Sequence, residues 1–279
     1  MVAAEAIGSA VYDAIVLAAT TLRPDALKAM RTAIERERSP RGRAILVQLL
    51  ENATIAADDR VPLCQDTGSV WVLLEVGEHE CVCGDVPAAV DRAVAAAYAD
   101  ALLRTSIARD ALVDRSNTGD NTPAFIDVTF RPGSGVTVTV MLKGGGSDNA
   151  SAVRMLAPGD GEAGVIRFVV ETVARTGASA CPPLLIGVGV GATFDKVGGL
   201  AKKALLRKIG SRHPDSGVAA LERRLSAEID ALGIGPGGLG GTVTALAVHV
   251  LTAPCHIASL PVAVNVGCSA VRSASVEVV

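Results

Sequence analysis

Residues 64–68 read Cys-Gln-Asp-Thr-Gly, which puts a thiol, a carboxamide, a carboxylate and a hydroxyl in four consecutive positions. Pro62 before this segment and Gly68 at its end interrupt regular structure, so we expect the segment to lie on a turn. A turn can direct several hydrogen-bonding or metal-binding groups at one point. The alternative interpretation is a small buried thiol beside an ordinary carboxylate, because cysteine often packs like a small hydrophobic residue.

The six cysteines do not follow the short spacing of common metal sites. There is no C-x-x-C motif, and Cys81 and Cys83 form the nearest pair, which argues against a zinc ribbon or a ferredoxin-like site. Cys64, Cys181 and Cys268 are far apart in the sequence, and each is predicted at a turn or at the end of a strand. Spacing alone does not show which of these cysteines have a functional role.

Three further segments have more than one interpretation. Cys255 and His256 are adjacent and could form a thiol–imidazole nucleophile. Residues 143–149 place three glycines after a predicted strand, which fits either a backbone nest for an anion or a flexible loop. Residues 117–123 are dense in turn-forming Asn, Thr and Asp. Arg104 could bind a carboxylate bidentately or be an ordinary surface residue.

Residues 187–192 formally match a dinucleotide-binding fingerprint, with Ala in the last position. The fingerprint also needs an acidic residue about twenty positions later to bind the ribose, and residues 206–208 are Leu-Arg-Lys instead. We therefore expect a close-packed turn between a strand and a helix. The alternative hypothesis is that the protein is a nicotinamide-dependent oxidoreductase that binds its cofactor at this segment.

The composition limits the classes of protein to consider. The formal net charge is −3 over 279 residues, so no basic surface for nucleic acid is expected. The first residues lack the basic start of a signal peptide, and the apolar runs are too short to span a membrane. Six cysteines in a chain of this length are not a disulfide framework. We expect a cytoplasmic protein with reduced or metal-bound thiols.

The first sixty residues are predicted to be entirely helical. Helical spacing of apolar residues covers 3–20, a second helix begins at Pro24, and a third ends near residue 58. The charged run at residues 35–38 is predicted to be a solvated face. Residues 1–60 are therefore expected to form a helical cap within a single domain that covers residues 1–279.

Residues 61–279 are expected to form the mixed α/β body of that domain. Strands are predicted at 69–76, 184–190, 242–251 and 261–266, with helices at 86–103, 161–176, 195–208 and 215–232. Residues 125–131 and 136–142 are joined by Pro-Gly-Ser-Gly, which predicts a β-hairpin. Because the helices and strands do not alternate strictly, the predicted fold is α/β, with mixed sheets flanked by helices and an all-helical N-terminal segment.

The ordered motifs together resemble one family. They are the segments at residues 64–68, 117–123, 143–147, 181–183, 233–236 and 254–261, followed by Cys268. This order resembles the α subunit, or N-terminal domain, of class I iron–sulfur fumarate hydratases and L(+)-tartrate dehydratases. The resemblance runs from about the second predicted helix to the C-terminus, and it implies the fold of the N-terminal domain of a class I fumarase.

The resemblance implies a cofactor. Cys64, Cys181 and Cys268 would hold a [4Fe-4S] cluster with one iron that is not ligated by protein. That iron would act as a Lewis acid on the hydroxyl and a carboxylate of the substrate. This chain has Ser179 and Ala180 before Cys181, where typical members have Asn and Pro, so different hydrogen bonds around the cluster are expected.

The resemblance also implies which residues surround the substrate. Asp66 and His256 would be catalytic, with Asp66 orienting the hydroxyl or relaying a proton. Gln65, Arg104 and Gly145 would bind the substrate, with Arg104 clamping a carboxylate and the Gly145 amide donating to one. Cys255 would then be a bystander.

The implied activity is a hydro-lyase reaction on a C4 dicarboxylate, with fumarate to (S)-malate as the first expectation. L(+)-Tartrate dehydratase and mesaconate hydratase are the alternatives. A separate β subunit would supply the catalytic base and further carboxylate-binding residues, in an α₂β₂ assembly. A scaffold protein without catalysis is less consistent with keeping the three cysteines together with Asp66, Arg104 and His256.

Overall fold

The computed structural model describes residues 1–278. Helices and strands follow one another in a mixed order, and apart from a two-residue strand the N-terminal segment is helical, so the predicted fold class is confirmed. The elements in chain order are β1 (Val2–Ala3), α1 (Ala4–Thr20), α2 (Pro24–Arg36), α3 (Pro40–Asp59), β2 (Ser69–Gly77), β3 (Val82–Cys83), α4 (Val86–Asp100), β4 (Phe125–Arg131), β5 (Val136–Lys143), α5 (Gly145–Asn149), β6 (Ala152–Leu156), α6 (Gly161–Thr176), β7 (Leu184–Ala192), α7 (Phe194–Ala204), α8 (Ser216–Ala231), β8 (Ala245–Cys255), β9 (Leu260–Gly267) and β10 (Ser273–Val278).

The chain forms two compact units. The first contains Met1–Arg23, Asn52–Gly145 and the C-terminal segment that begins at Arg272, and the second contains Pro24–Glu51 and Gly146–Val271. The division into a helical cap at residues 1–60 and a mixed body at residues 61–279 stays a prediction.

The first unit is a four-stranded sheet with helices packed on one face. The strand order is β10-β5-β2-β4, with β5 antiparallel to its two neighbours and β4 parallel to β2. Alternate residues of β2 and β5 point into one apolar core with the buried faces of α1 and α4. The two helices approach closely because Gly8 has no side chain, and a Cβ there would lie 3.0 Å from the carbonyl oxygen of Ala89.

The predicted hairpin between residues 125–131 and 136–142 is wrong. Both strands exist, but β2 lies between β4 and β5 and pairs with each of them. The connecting loop crosses the end of β2, where the amide of Gly77 donates to the carbonyl of Gly135 at 2.9 Å. A Cβ on Gly77 would lie 2.5 Å from the carbonyl oxygen of Gly133, so glycine makes this crossing possible.

The second unit is a four-stranded sheet with helices on both faces. The strand order is β6-β9-β7-β8. α6 and α8 pack on one face, where they share a core with alternate residues of β7 and β9. On the opposite face, Val197 and Ala201 of α7 pack against Ala263 of β9. The two layers of helices bury the central strands, and this explains why residues 184–190 are continuously apolar.

The strand predicted at residues 184–190 is confirmed and extends to Ala192, so the turn expected from the fingerprint at residues 187–192 is part of β7. A Cβ on Gly187 would lie 2.2 Å from the carbonyl oxygen of Ala201, and a Cβ on Gly189 would lie 2.6 Å from that of Val197. These two glycines therefore let α7 lie directly on the strand backbone. Because α7 fills that space, the segment is not a phosphate-binding loop.

The prediction that residues 35–38 form a solvated face is wrong for Glu37, which is fully buried. The Glu37 carboxylate lies in the second unit and accepts from the backbone amides of Ser39, Thr242 and Val243 at 2.8–2.9 Å. Burial raises the pKa of Glu37, but these amides favour the ionised form more strongly, so the pKa is lowered overall. The carboxylate holds the chain between the glycine-rich residues 233–241 and the start of β8.

Residues Ala4–Arg36 are long and apolar enough to cross a membrane by length and composition alone. In the structure this stretch contains two helices, α1 and α2, and 56% of its most apolar window is buried. The core helix of a soluble protein passes the same test, so the finding is weak support for a membrane span.

Gly187 allows a direct test of the contact between α7 and β7. We expect Gly187→Ala to lower the free energy of unfolding by about 3 kcal/mol or more, because its Cβ would meet backbone instead of a movable side chain. Urea denaturation measures the change. Gly199→Ala is the matched control, since no atom lies within 4 Å of a Cβ there and alanine favours the helix. Equal stability of Gly187→Ala and the wild type would contradict the packing described.

Tyr98 of α4 gives a pH-dependent test of the first unit. Its buried hydroxyl donates to the carbonyl of Gly68 at 2.9 Å, and burial raises the pKa of Tyr98 to about 12. The stability contributed by the neutral phenol is complete below about pH 10 and is lost as the pH rises towards 12. We expect the wild type to lose roughly 1 kcal/mol more than Tyr98→Phe between about pH 8 and pH 11 in urea denaturation. Parallel pH profiles for the two proteins would show that Tyr98 is not buried as described.

Candidate active site

Several strands of the first unit begin or finish at the same end of the sheet. β2 begins at Ser69, which is paired with Lys143 at the end of β5, and β10 begins at Ser273 near the same end of β5. β4 is parallel to β2, so its first residues lie at this end of the sheet as well. The segments adjoining these strand ends are residues 64–68, 121–124 and 144–145, together with Arg272.

Residues 64–68 form the irregular connection between α3 and β2, as predicted. The connection is anchored at Leu63, which is buried in the first unit. The Leu63 amide donates to the carbonyl of Ala19 at 2.8 Å, and its carbonyl accepts from the side chain of Asn52 at 3.0 Å. The segment therefore leaves α3 in a fixed direction, and its polar side chains follow immediately.

Thr67 and Gly68 fix the other end of the segment. The Thr67 hydroxyl donates to the carbonyl of Arg104 at 2.6 Å, so it ties the turn to the residue predicted to bind a carboxylate. Gly68 has a φ of +79°, and a Cβ there would lie 2.3 Å from the carbonyl oxygen of Lys143. The turn can approach the end of β5 only with glycine at this position.

Three residues predicted at the site lie together around one carboxylate. The Asp66 Oδ1 atom lies 3.3 Å from Nη2 of Arg104, and its Oδ2 accepts from the amide of Gly145 at 2.9 Å. The side chains of Asp66 and Arg104 are 26% and 57% exposed, so solvent reaches this group. The acceptor of the Gly145 amide in this structure is a carboxylate of the protein. Gln65, the neighbouring predicted residue, is exposed.

The Asn-Thr-rich segment at residues 117–123 supports this group structurally. Asn121 is fully buried, and its carboxamide accepts from the amide of Ser106 at 2.8 Å while donating to the carbonyl of Gly68 at 3.1 Å. Asn121 therefore joins the segment after Arg104 to the turn that carries Asp66. The amide of Thr122 bonds to Asp120, which lowers the pKa of that carboxyl and closes the local turn.

The sequence predicted no role for three buried residues that hold this site, although one of them lies in the motif at residues 117–123. They are Tyr98 and Asn121, which bond to the carbonyl of Gly68, and Arg272, whose Nη1 donates to the carbonyl of Asp66 at 2.6 Å. The order of the strands is what brings these residues to the turn. The sequence shows an arginine four residues after Cys268, but neither its burial nor its partner can be read from spacing.

The second unit places Cys181 and Cys268 side by side. β7 and β9 are antiparallel, and Leu185 near the start of β7 pairs with Gly267 at the end of β9. Cys181 precedes β7 and Cys268 follows β9, and the amide of Ser269 donates to the carbonyl of Cys181 at 3.1 Å. Cys181 is exposed with a φ of +55°. The third predicted ligand, Cys64, belongs to the first unit and is half-buried.

His256 lies at the other end of β9 from Cys268. It occupies the exposed turn between β8 and β9, and the eight residues of β9 span about 24 Å. Its Nδ1 accepts from the amide of Ala258 at 3.1 Å, so the neutral ring carries its proton on Nε2. The neighbouring Cys255 thiol lies 3.3 Å from the carbonyl of Ser259, so it is not bonded to the imidazole.

The donor set is compatible with a cluster held by thiolates. Among the described residues none of the cysteines forms a disulfide. Across residues 1–278, no three His, Cys, Asp or Glu side chains are arranged around a single metal ion. A cluster binds each thiolate through a different iron atom, so its ligands lie farther apart than those of one ion.

An open apolar cavity of 490 Å³ lies in the second unit, between the first turns of α6 and α8 and the adjoining ends of β8 and β9. None of the predicted site residues lines it.

Comparison with known proteins identifies the relationship that the motifs imply. The family model described as "Fumarate hydratase (Fumerase)" matches residues 8–277. A protein of Methanocaldococcus jannaschii, provisionally named as an L(+)-tartrate dehydratase subunit alpha, is 40% identical over 263 residues, which cover 92% of each chain. The L(+)-tartrate dehydratase subunit alpha of Escherichia coli strain UTI89 is 34% identical over 263 residues, covering 93% of this chain and 86% of the relative. Because the family match extends over almost the whole sequence, this chain belongs to the fumarate hydratase family of hydro-lyases.

Proposed function

We propose that this chain is the α subunit of a hydro-lyase that reversibly adds water to, or removes it from, a C4 dicarboxylate. The observation that carries the proposal is the contact of Asp66 with Arg104 and the Gly145 amide. A guanidinium and a backbone amide that together hold one carboxylate have the donors needed to hold a carboxylate of the substrate. The family supplies the reaction class.

The proposed cofactor is a [4Fe-4S] cluster bound by Cys64, Cys181 and Cys268. The thiols fit this role because Cys181 and Cys268 are neighbours in the second unit, and Cys64 lies two residues from Asp66. When bound, a cluster with one iron free of protein ligands supplies a Lewis acid for the substrate hydroxyl and carboxylate. Thiolate ligation of iron requires reducing surroundings, which is consistent with the predicted cytoplasmic location.

The residues of the first unit have complementary tasks in this reaction. Arg104 binds one carboxylate through its planar guanidinium, and the Gly145 amide donates to a carboxylate oxygen. Gln65 offers a carboxamide to a substrate oxygen. Asp66 then orients the substrate hydroxyl or accepts a proton at its carboxylate when the Arg104 contact passes to the substrate. His256 stays a proposal from the sequence, with its Nε2 proton as a donor to a substrate oxygen.

A second chain is part of the proposal. The relatives are named as α subunits, and we propose that a separate β subunit completes this enzyme as an α₂β₂ assembly. The β subunit would supply the base that removes the proton beside the carboxylate, together with further cationic residues for the second carboxylate. The α chain alone is then expected to be inactive.

Two substrate pairs follow from the comparisons. The family model is named for fumarate hydratase, which favours fumarate and (S)-malate. The relatives are named for L(+)-tartrate, which favours tartrate and oxaloacetate. Both pairs have two carboxylates and a hydroxyl that leaves as water, as does the mesaconate alternative. An anaerobic assay of the co-expressed chains with each pair distinguishes them.

The cluster is tested by its iron content. Anaerobic reconstitution with iron and sulfide should yield about four iron atoms per chain and a brown protein. Cys64→Ser, Cys181→Ser and Cys268→Ser should each lose most of this iron, because each removes one of three thiolates. Cys81→Ser is the matched control, since Cys81 is exposed and lies outside the ligand set. A wild-type chain that stays colourless and iron-free would refute the cluster.

Arg104 tests the binding of the dicarboxylate. In the two-chain enzyme, Arg104→Lys should raise KM or lower kcat/KM by about 10- to 100-fold, because lysine cannot make the bidentate contact. Arg109→Lys is the control, since Arg109 is exposed on the same loop and its backbone amide bonds to Ser116. If both variants behave alike, Arg104 does not bind the substrate. The iron content of both variants should equal that of the wild type.

A further inference from the structure

Arg272 is buried beside the proposed substrate-binding turn, although none of the roles proposed above uses it. It begins the C-terminal segment of the first unit and is only 4% exposed. Its carbonyl accepts from the amide of Leu142 at 3.0 Å, which fixes the Arg272 backbone beside the end of β5. From there its side chain reaches the turn, where Nη1 donates to the carbonyl of Asp66 at 2.6 Å.

The guanidinium of Arg272 has few partners for a buried charge. Its Nε has no hydrogen-bond partner. A buried guanidinium with an unsatisfied donor is costly, so this arrangement is not explained by stability alone. The hydrogen bond from Nη1 goes to the backbone of the residue whose carboxylate contacts Arg104.

Asp66 is thus held from two sides. Arg272 holds its carbonyl, while Arg104 and the Gly145 amide hold its carboxylate. Gly144 makes this close arrangement possible, since a Cβ there would lie 3.1 Å from Oδ2 of Asp66 and 3.3 Å from Nη2 of Arg272. The two sets of contacts fix both the backbone and the side-chain direction of one residue.

We propose that Arg272 is a positioning residue that fixes Asp66 for the reaction by holding its backbone carbonyl. This inference rests on the proposed function, because Asp66 is taken to act on the substrate. Arginine suits the task because its planar guanidinium offers donors in a fixed geometry and reaches a carbonyl from the start of β10.

Steady-state kinetics of the co-expressed two-chain enzyme test the role. Arg272→Gln should lower kcat by about 10- to 100-fold while KM changes by less than about threefold, because Arg272 acts through Asp66 and does not bind the substrate. Arg272→Lys should recover part of the loss. Arg92→Gln is the control, since Arg92 is an exposed arginine of the first unit paired with Glu5. Wild-type kinetics in Arg272→Gln would overturn the proposal.

A double-mutant cycle separates positioning from general support of the fold. If Arg272 acts through Asp66, Arg272→Gln should cost little further activity in an Asp66→Asn background, so the two losses are not additive. Independent, additive losses would mean that Arg272 stabilises the fold without directing Asp66, and the proposal would fail.

Amide hydrogen exchange gives a measurement that does not depend on activity. In the full chain, exchange across residues 61–70 should be at least about tenfold faster in Arg272→Gln than in the wild type, while β7 is unchanged. Arg92→Gln should match the wild type. If the two-chain wild type acts on none of the dicarboxylates, the proposed function fails, and this exchange still decides whether Arg272 holds the turn. Unchanged exchange in both Arg272 variants would refute the inference.

Discussion

The alignment of β2, β5 and β10 in the first unit is the constraint on which the candidate site depends. Because β5 is antiparallel to both neighbours, the start of β2, the end of β5 and the start of β10 lie at the same end of the sheet. Asp66, Gly145 and Arg272 adjoin these three ends. Their contacts therefore follow from the strand register, since a shift by one residue would turn the side chains of a strand to the opposite face. β7 and β9 bring Cys181 and Cys268 together in the second unit by the same principle.

The contact between Asp66 and Arg104 contributes little to stability. Both side chains are partly exposed, and pairs of this kind are worth about 0–1 kcal/mol. The surrounding backbone is held much more firmly, through buried Tyr98 and Asn121 at the carbonyl of Gly68 and through the hydroxyl of Thr67 at the carbonyl of Arg104. A weak polar contact on a rigid frame can exchange one partner for a substrate without unfolding the turn. This is the property that a binding site requires.

The sequence predicted most of the helices and strands because their apolar periodicity is local. It failed where packing between distant segments decides the structure. The loop at residues 132–135 looked like a hairpin turn, but β2 occupies the space between its two strands. Glu37 was predicted to be solvated, but its buried carboxylate accepts hydrogen bonds from backbone amides about two hundred positions later in the sequence. Glycines 187 and 189 matched part of a dinucleotide-binding fingerprint, but in the structure they lie within β7 and accommodate α7.

The candidate residues came from ordered motifs and a family resemblance, since none of the segments was specific alone. The structure brings Asp66, Arg104 and Gly145 together in the first unit and Cys181 and Cys268 together in the second. It leaves His256 at the opposite end of β9 from Cys268. The sequence predicted no role for Tyr98, Asn121 or Arg272, although Asn121 lies in the motif at residues 117–123, because the role of a buried residue becomes clear only when its partners are known. Their partners are backbone carbonyls, which leave no pattern in a sequence.

The chemistry of the first unit also bears on where the catalytic base resides. Tyr98 is the phenol nearest the turn, but burial raises its pKa to about 12 and its hydroxyl is bonded to Gly68, so it does not accept a proton near neutral pH. Arg104 and Arg272 carry guanidinium groups, which donate hydrogen bonds and have no acceptor. The Asp66 carboxylate is the group on the turn that is proposed to orient the hydroxyl or to take up a proton. A reaction that needs one group to orient the hydroxyl and another to remove a proton from carbon therefore requires a second group besides Asp66.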